Sequence, residues 1–136
     1  MTTATYPDDL LYTQDHEWAR VEERNGETLV TVGITSFAVE QLGDVTQVDL
    51  PRQGQIVKRA EVFGSVESVK AVSDLFAPLS GKIVKVNSAL VNSPETVNED
   101  PYAQGWMIQV APTSTDDLNE LMDADAYRSF LHKEGE

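Results

Sequence analysis

Residues 62–86 read VFGSVESVKAVSDLFAPLSGKIVKV and place Lys70 between two stretches rich in apolar residues. Pro78 and Gly81 follow the second stretch and favour turns, so the segment predicts short strands that reverse direction at the lysine. A lysine at a tight turn keeps its ammonium in water, and the paired strands on either side fix its position. The segment therefore favours a carrier, with Lys70 as the point of attachment, over a catalyst.

Short segments rich in valine and isoleucine continue through the chain, each bounded by Gly, Pro, Asn or Ser. Several short strands at such spacing predict a sandwich or a flattened barrel, so the fold is expected to be mainly β. The interval 87–104 contains Asn92, Pro94, Asn98 and Pro101 and predicts an irregular excursion. The predicted strands in this part of the chain are 46–50, 55–58, 62–66, 75–77, 82–86 and 106–110.

Local turn and cap signals precede these strands. The Asn-Gly dipeptide at 25–26 tolerates the positive φ values of a two-residue turn and predicts an N-terminal hairpin. Thr35 or Ser36 can cap a short helix near 36–42, which Gly43 would end in the left-handed conformation. We expect this helix to cover one end of the barrel.

The C-terminal tail differs from the rest of the chain, because apolar residues recur there at helical spacing. Residues 114–117 offer caps and early negative charge, so the tail predicts two short helices packed on the barrel. With 136 residues we expect a single domain over 1–136, with a core at about 10–112 and a helical segment at about 113–132. The apolar positions are Leu118, Leu121, Met122, Ala124, Tyr127 and Leu131.

Composition excludes several classes of function. The formal net charge of −13 repels phosphate backbones and anionic lipids, so we expect no nucleic-acid or membrane partner. No apolar run is long enough to span a bilayer, and no cysteine is present for disulfides, thiolate catalysis or cysteine-based zinc sites. The opening residues lack the pattern of a signal or transit peptide, so we expect a cytoplasmic protein, or an organellar one already processed.

Several segments together resemble the glycine cleavage system H proteins. ESVKA at 67–71 resembles their lipoyl attachment segment, and YTQDHEW at 12–18 resembles their opening segment. GITSFAVEQLGDVTQVDLP at 33–51 and GWMI at 105–108 resemble two further blocks. The likeness extends over roughly residues 10–131, so it is much broader than a chance match to one loop.

The fold that this resemblance implies is a flattened hybrid barrel-sandwich of the lipoyl/biotinyl type, with the N-terminal hairpin, the short helix and C-terminal helices. Such domains have two quasi-symmetric halves, and two internal alignments compete in this chain. One pairs GQIVK at 54–58 with GKIVK at 81–85, and the other pairs the strand before Lys70 with the strand at 106–110. We prefer the second, in which one half ends at the attachment turn and the other at the closing strand.

The resemblance implies a function as well. Lys70 would carry lipoate as an amide, and the chain would be a non-catalytic carrier, expected as a monomer. It would take the aminomethyl group of glycine from the pyridoxal phosphate-dependent glycine decarboxylase (P protein) to the tetrahydrofolate-dependent aminomethyltransferase (T protein). Dihydrolipoyl dehydrogenase (L protein) would then reoxidise the arm, which a separate lipoylating enzyme would have attached.

Three acidic residues receive roles from the resemblance. Glu17 and Asp74 match positions that hold the loaded arm in a surface cleft, where carboxylates would neutralise its amine. Glu67 matches the residue that lipoylating enzymes read three positions before the lysine. Without these roles, each is a solvated acid among 23. Asp15 and Gln41 replace a serine and a histidine that some family members have at this cleft, so arm binding is expected to differ in detail.

The histidines and tryptophans are assigned structural roles. His16 has no nucleophile placed beside it, and His132, expected in a frayed tail, is the only other histidine. We therefore expect neither histidine catalysis nor a metal site. Trp18 and Trp106 are interpreted as walls of the core or of the cleft.

Rival functions from other classes have less support. A biotin carrier domain favours methionine on both sides of its lysine, whereas Val69 and Ala71 flank Lys70. The lipoyl domain of a 2-oxoacid dehydrogenase is normally tethered by flexible linkers to an acyltransferase, and this sequence contains neither. The third alternative is a small β-barrel interaction module or hydrolase, but no phosphate-binding loop or nucleophilic triad recommends an enzyme.

Overall fold

The computed structural model describes residues 6–133. Within this range the chain forms nine strands, four α-helices and one 3₁₀ helix. The strands are β1 (Leu11–Tyr12), β2 (Glu17–Arg24), β3 (Glu27–Ile34), β4 (Val45–Asp49), β5 (Ile56–Val57), β6 (Val62–Ser68), β7 (Val72–Phe76), β8 (Gly81–Val86) and β9 (Ile108–Pro112). The helices are α1 (Ser36–Leu42), α2 (Ala89–Asn92), α3 (Thr96–Glu99), the 3₁₀ helix (Thr115–Glu120) and α4 (Ala124–Lys133).

The strands form two antiparallel sheets that share the main hydrophobic core. The larger sheet has the strand order β1-β2-β3-β9-β8-β5, and the smaller has the order β4-β6-β7. Val32 of β3, Val48 of β4 and Val66 of β6 belong to this core, and each is at most 3 % exposed. Within 6–133 no ladder joins the two sheets, so the architecture is a sandwich rather than a closed barrel. The predicted mainly β, barrel-sandwich fold is confirmed.

The N-terminal hairpin and the short helix form where local signals predicted them. β2 and β3 pair along their whole length, and the connecting Asn25 and Gly26 both have positive φ (53° and 80°). The hydroxyl of Thr35 accepts a hydrogen bond from the Ala38 N–H (3.3 Å) and so caps α1. Gly43 follows α1 with a φ of 76°.

The two similar GxIVK segments lie side by side. Ile56 of β5 pairs with Lys82 of β8, and Val57 pairs with Gly81, within the larger sheet. In the preferred alignment of the two halves, the pair β4–β6 corresponds to the pair β8–β9, and both pairs are antiparallel. Every strand pair in the two sheets is antiparallel, so this correspondence does not distinguish the two alignments, and the preference for the second stays a prediction.

The interval 87–104 is more ordered than predicted, because it contains the one-turn helices α2 and α3. Amide side chains supply the long-range contacts that fix it. Asn87 donates through Nδ2 to the carbonyls of Gln104 (2.9 Å) and Trp106 (2.7 Å). Asn98 donates through Nδ2 to the Gly43 carbonyl (2.8 Å) and accepts through Oδ1 from the Val45 N–H (2.8 Å), so it binds the backbone between α1 and β4. These contacts satisfy backbone groups that would otherwise need water.

Two predicted strands are shifted. β7 begins at Val72 rather than at position 75, and β9 covers Ile108–Pro112 rather than 106–110. Val72 is 67 % exposed but pairs with Glu67, so partner hydrogen bonding extends β7 beyond its buried part.

The tail forms the 3₁₀ helix and α4, as predicted. His132 lies in the last turn of α4, so the expectation that it sits in a frayed tail was wrong. The fully buried Tyr127 and Leu131 hold this turn against the sheets. None of the helices described by the structure is long and apolar enough to cross a bilayer. Leu118 and Leu121 of the tail pack against the main core, whereas α4 belongs to a second core cluster. The buried members of that cluster are Leu10, Tyr12, Trp18, Ala124, Tyr127 and Leu131.

Candidate attachment site and cleft

Lys70 lies in a tight turn that joins β6 to β7. The Ser68 N–H donates to the Ala71 carbonyl (2.8 Å), and the Ser68 hydroxyl accepts from the N–H groups of Lys70 (3.3 Å) and Ala71 (3.1 Å). The Val69 N–H donates to the Asp44 carbonyl (3.2 Å), which ties the turn to the segment after α1. These hydrogen bonds fix the backbone at the lysine.

The Lys70 side chain is exposed and passes along the end of α1. A methyl group added to Gly43 would lie 3.4 Å from Lys70 Cε, so the aliphatic stem rests close to this glycine. Within 6–133 the lysine takes part in no ion pair. A buried or ion-paired lysine could not accept an attached group, whereas this ammonium is accessible.

A cleft of about 250 Å³, the arm cleft, opens beside the turn. Its walls are β7 and α1, and its floor is formed by Asp15 and His16, by Glu17 at the start of β2, and by Ile34. Along the chain, the β7 wall begins at Ala71, the residue directly after Lys70. The α1 wall ends at Leu42, directly before Gly43. Its lining residues are Asp15, His16, Glu17, Ile34, Ala38, Gln41, Leu42 and residues 71–75.

Glu17 is the buried acid of the arm cleft, with only 1 % of its surface exposed. One carboxyl oxygen accepts from the Thr13 hydroxyl (2.9 Å), and the other accepts from the Phe76 N–H (3.1 Å). Burial raises the pKa of Glu17 to about 8, and the hydrogen bonds from Phe76 and Thr13 offset only part of that effect. At neutral pH, without a cation beside it, Glu17 therefore keeps its proton.

The structure brings Glu17 and Asp74 to the same cleft and leaves Glu67 outside it. Asp74 is exposed on β7 at the rim of the cleft, and Glu67 is half-buried on β6. Asp15 and Gln41, which depart from the family pattern, line the same cleft. The acids assigned to arm binding are thus close together, and the acid assigned to enzyme recognition is separate from them.

His16 lies in the floor of the arm cleft, and its Nδ1 is 2.8 Å from the hydroxyl of Tyr127 on α4. Sequence reasoning missed Tyr127, because its place in the apolar stripe of the tail indicates a core residue and nothing more. Trp18 is fully buried, and neither Trp18 nor Trp106 lines the cleft. Among the residues that the structure describes, no group of three potential metal ligands occurs.

An exposed lysine on a fixed hairpin turn, next to a cleft with a buried carboxyl group, defines a carrier domain of the swinging-arm class. The comparison with known proteins is more specific. The chain matches the family described as Glycine cleavage H-protein over residues 10–134, and it belongs to this family.

Individual relatives match along nearly their whole length. The chain is 56% identical to the glycine cleavage system H protein of Anaeromyxobacter sp. (strain K) over 128 residues, which cover 94% of this chain and 97% of that protein. It is 50% identical to the H protein of Synechococcus sp. (strain JA-3-3Ab), with 93% and 95% covered. The crystal structure of the H protein from Mycobacterium marinum matches with a TM-score of 0.81 at 45% identity, covering 96% and 99% of the two chains. The predicted family, and with it the role of a carrier component in glycine cleavage, is confirmed.

Proposed function

We propose that lipoate is attached as an amide to Nζ of Lys70 and that this arm carries the aminomethyl group of glycine. The carrier receives this group from glycine decarboxylase and delivers it to the aminomethyltransferase, and dihydrolipoyl dehydrogenase then reoxidises the arm. One observation carries the proposal. Lys70 is exposed on a fixed turn at the mouth of a cleft that contains the buried Glu17.

The surroundings of Lys70 suit an acyl group on Nζ. Amide formation removes the charge of the lysine, and no carboxylate within 6–133 would lose an ion-pair partner as a result. When bound, the lipoyl group supplies a disulfide that opens by exchange, which is chemistry that a chain without cysteine lacks. Gly43 has no side chain where the lysine stem passes, so the arm leaves the turn without a steric block.

Glu17 and Asp74 are proposed to hold the amine of the loaded arm. A protonated amine needs a negative partner when it leaves water. The pKa of Glu17, raised to about 8 by burial, is lowered by an ammonium that enters the cleft, so Glu17 ionises as the cation arrives. Asp74 supplies a second carboxyl group at the rim, and the cleft keeps bulk water away from the carbon that hydrolysis attacks.

Glu67 is proposed as the residue that the lipoylating enzyme reads. It lies three positions before Lys70 on β6, and its pairing with Val72 fixes its position relative to the turn. Because it lies outside the arm cleft, recognition by that enzyme is separate from storage of the loaded arm.

The carrier docks with three enzymes in turn, so each contact must be weak and separable. A tethered arm raises the effective concentration of its cargo at each active site, which makes weak docking sufficient. The formal net charge of −13 favours enzymes that present basic docking surfaces. The relatives named above are bacterial proteins, which supports a cytoplasmic location for this carrier. We expect the carrier to be a monomer.

Intact-mass analysis of Lys70→Arg tests the proposal. Produced together with a lipoylating enzyme and lipoate, the wild-type chain should gain the mass of one lipoyl group, located at Lys70 by peptide mapping. Lys70→Arg should gain no mass and support no glycine cleavage, with unchanged thermal unfolding because the side chain is exposed. Lys58→Arg, at an exposed lysine away from the turn, is the matched control and should be modified normally. Modification or full activity of Lys70→Arg would refute the assignment.

A further inference from the structure

We infer that the hydroxyl of Tyr127 is a positioning group for the arm cleft, because it bonds both the side chain of His16 in the cleft floor and the cap of the helix that forms one wall. The inference rests on the proposed function, in which the loaded arm is stored in this cleft. Tyr127 does not line the cleft itself, so it acts only through the residues that do.

The Tyr127 hydroxyl makes two hydrogen bonds that converge from separate parts of the chain. It lies 2.8 Å from Nδ1 of His16 and 2.9 Å from the hydroxyl of Thr35. The Thr35 oxygen already accepts from the Ala38 N–H, so Thr35 can donate to Tyr127, and Tyr127 can then donate to Nδ1 of His16. This direction of donation gives the Thr35 hydroxyl, the Tyr127 hydroxyl and Nδ1 of His16 each a partner.

The bond to His16 bears on the floor of the cleft. His16 has a φ of 70°, a left-handed conformation that is unfavourable for a residue with a side chain and persists only where its surroundings hold it. Its neighbours in the chain, Asp15 and Glu17, both line the cleft. Anchoring the His16 ring therefore fixes the backbone from which the buried Glu17 carboxyl group projects.

The bond to Thr35 bears on the wall. Thr35 is fully buried and is the N-cap of α1, and Ala38, Gln41 and Leu42 of that helix line the cleft. A cap fixes the start of a helix and the direction in which it leaves the preceding strand. The backbone already joins these two parts, since the Thr35 N–H donates to the His16 carbonyl (3.0 Å). The Tyr127 hydroxyl adds the side-chain bonds that orient the His16 ring, directly before Glu17, and the cap of α1.

The ring of Tyr127 is itself held firmly. It is fully buried and stacks on Tyr12 with a centroid separation of 4.7 Å and an interplanar angle of 6°. Burial raises the pKa of Tyr127 above its ordinary value, so the hydroxyl keeps its proton and remains a donor. Because stacking on Tyr12 fixes the ring of Tyr127, the Tyr127 hydroxyl is held in one position.

Tyr127→Phe removes this hydroxyl and keeps the stacked ring. Tyr12→Phe is the matched control, because Tyr12 is equally buried and its hydroxyl donates to the Pro7 carbonyl (2.7 Å), with no bond to a residue that lines the arm cleft. Tyr12→Phe loses one hydrogen bond and should lower Tm by about 4 °C, and Tyr127→Phe loses two and should lower it by about 8 °C. Intact mass should show normal lipoylation of both.

The decisive measurement is the lifetime of the loaded carrier at a temperature well below both Tm values. Hydrolysis of the loaded arm consumes one water and releases formaldehyde and ammonium, leaving the dithiol, so formaldehyde release gives the rate. We expect release about fivefold faster from Tyr127→Phe than from Tyr12→Phe, the loss that follows from its one hydrogen bond to a residue lining the cleft, His16. In the unmodified proteins, NMR should show shifted amide signals for Asp15, Ala38 and Gln41 in Tyr127→Phe and unshifted ones in Tyr12→Phe.

The outcomes separate this inference from the function on which it rests. In one outcome, Glu17→Ala loses the aminomethyl group faster than wild type, while Tyr127→Phe and Tyr12→Phe release it at the same rate. The positioning role of Tyr127 is then overturned, and storage of the arm in the cleft stands. If wild type and Glu17→Ala release it at the same rate, the cleft does not protect the arm, and both ideas fail.

Discussion

The buried Glu17 predicts that the stability of the carrier falls as pH rises through neutrality. Burial raises the pKa of this carboxyl group from its ordinary 4.5 to about 8, so the folded chain holds the proton more tightly than the unfolded chain does. The stabilisation that comes from the protonated Glu17 is complete below the pKa that this group has in the unfolded chain. It is lost progressively as pH rises toward the pKa that the group has in the folded chain. Between those values the free energy of unfolding should fall by up to about 1.4 kcal/mol per pH unit, or about 5 kcal/mol in total as a ceiling.

Urea unfolding, followed by tryptophan fluorescence at several pH values from about 5 to 8, measures this slope. Glu17→Gln keeps the size of the side chain and removes the titration, so its stability relative to wild type should improve steadily with pH. Glu27→Gln, at an exposed acid on the N-terminal hairpin, is the control and should follow wild type. Parallel curves for wild type and Glu17→Gln would refute the reasoning, because they would mean that Glu17 titrates alike in the folded and unfolded chains.

Two further variants test the scaffold and the recognition residue. A methyl group at Gly33 would lie 2.6 Å from Cζ2 of the fully buried Trp18, so Gly33→Ala should lower the free energy of unfolding by about 2 kcal/mol in urea titrations; an unchanged midpoint would show that the ring can move aside. Glu67→Gln should slow lipoylation in a timed intact-mass assay, whereas Glu61→Gln, at an exposed acid beyond the far end of β6, should not. Equal rates for the two variants would remove Glu67 from recognition.

Features that depend on neighbouring residues alone were predicted well. The Asn25-Gly26 turn, the Thr35 cap and the Gly43 helix end each follow from the conformational preference of one or two residues. The end of a strand depends instead on its partner. Val72 lies outside the strand predicted at 75–77, yet its pairing with Glu67 makes it part of β7 although it is exposed.

The interval 87–104 shows why composition misleads over longer stretches. Its asparagines and prolines indicate loops, but Asn87 and Asn98 use their amides to bind backbone groups far along the chain. Such contacts stabilise α2 and α3, and no local pattern reports them. The same residue types that favour turns also satisfy buried backbone groups when the fold brings them there.

The resemblance assigned residues to the candidate site but did not give their physical state. The resemblance pointed to Lys70, Glu17 and Asp74, but the sequence alone left Glu17 as one acid among many. Its burial arises where the start of β2 meets the end of β7, and there the Phe76 N–H reaches the carboxyl group. The bond between His16 and Tyr127 joins residues 111 positions apart, a separation at which sequence spacing carries no information about contact.

The hydrogen bonds that hold the turn at Lys70 set the reach of the carrier. The proposed lipoyl arm is itself flexible, so from a fixed root it reaches any point within its own extended length, whereas a flexible linker would add to that reach. Each enzyme that uses the arm must then bring its reaction centre within that length of the turn. Enzymes of unrelated fold that share this carrier should therefore have entrance tunnels no deeper than the extended arm.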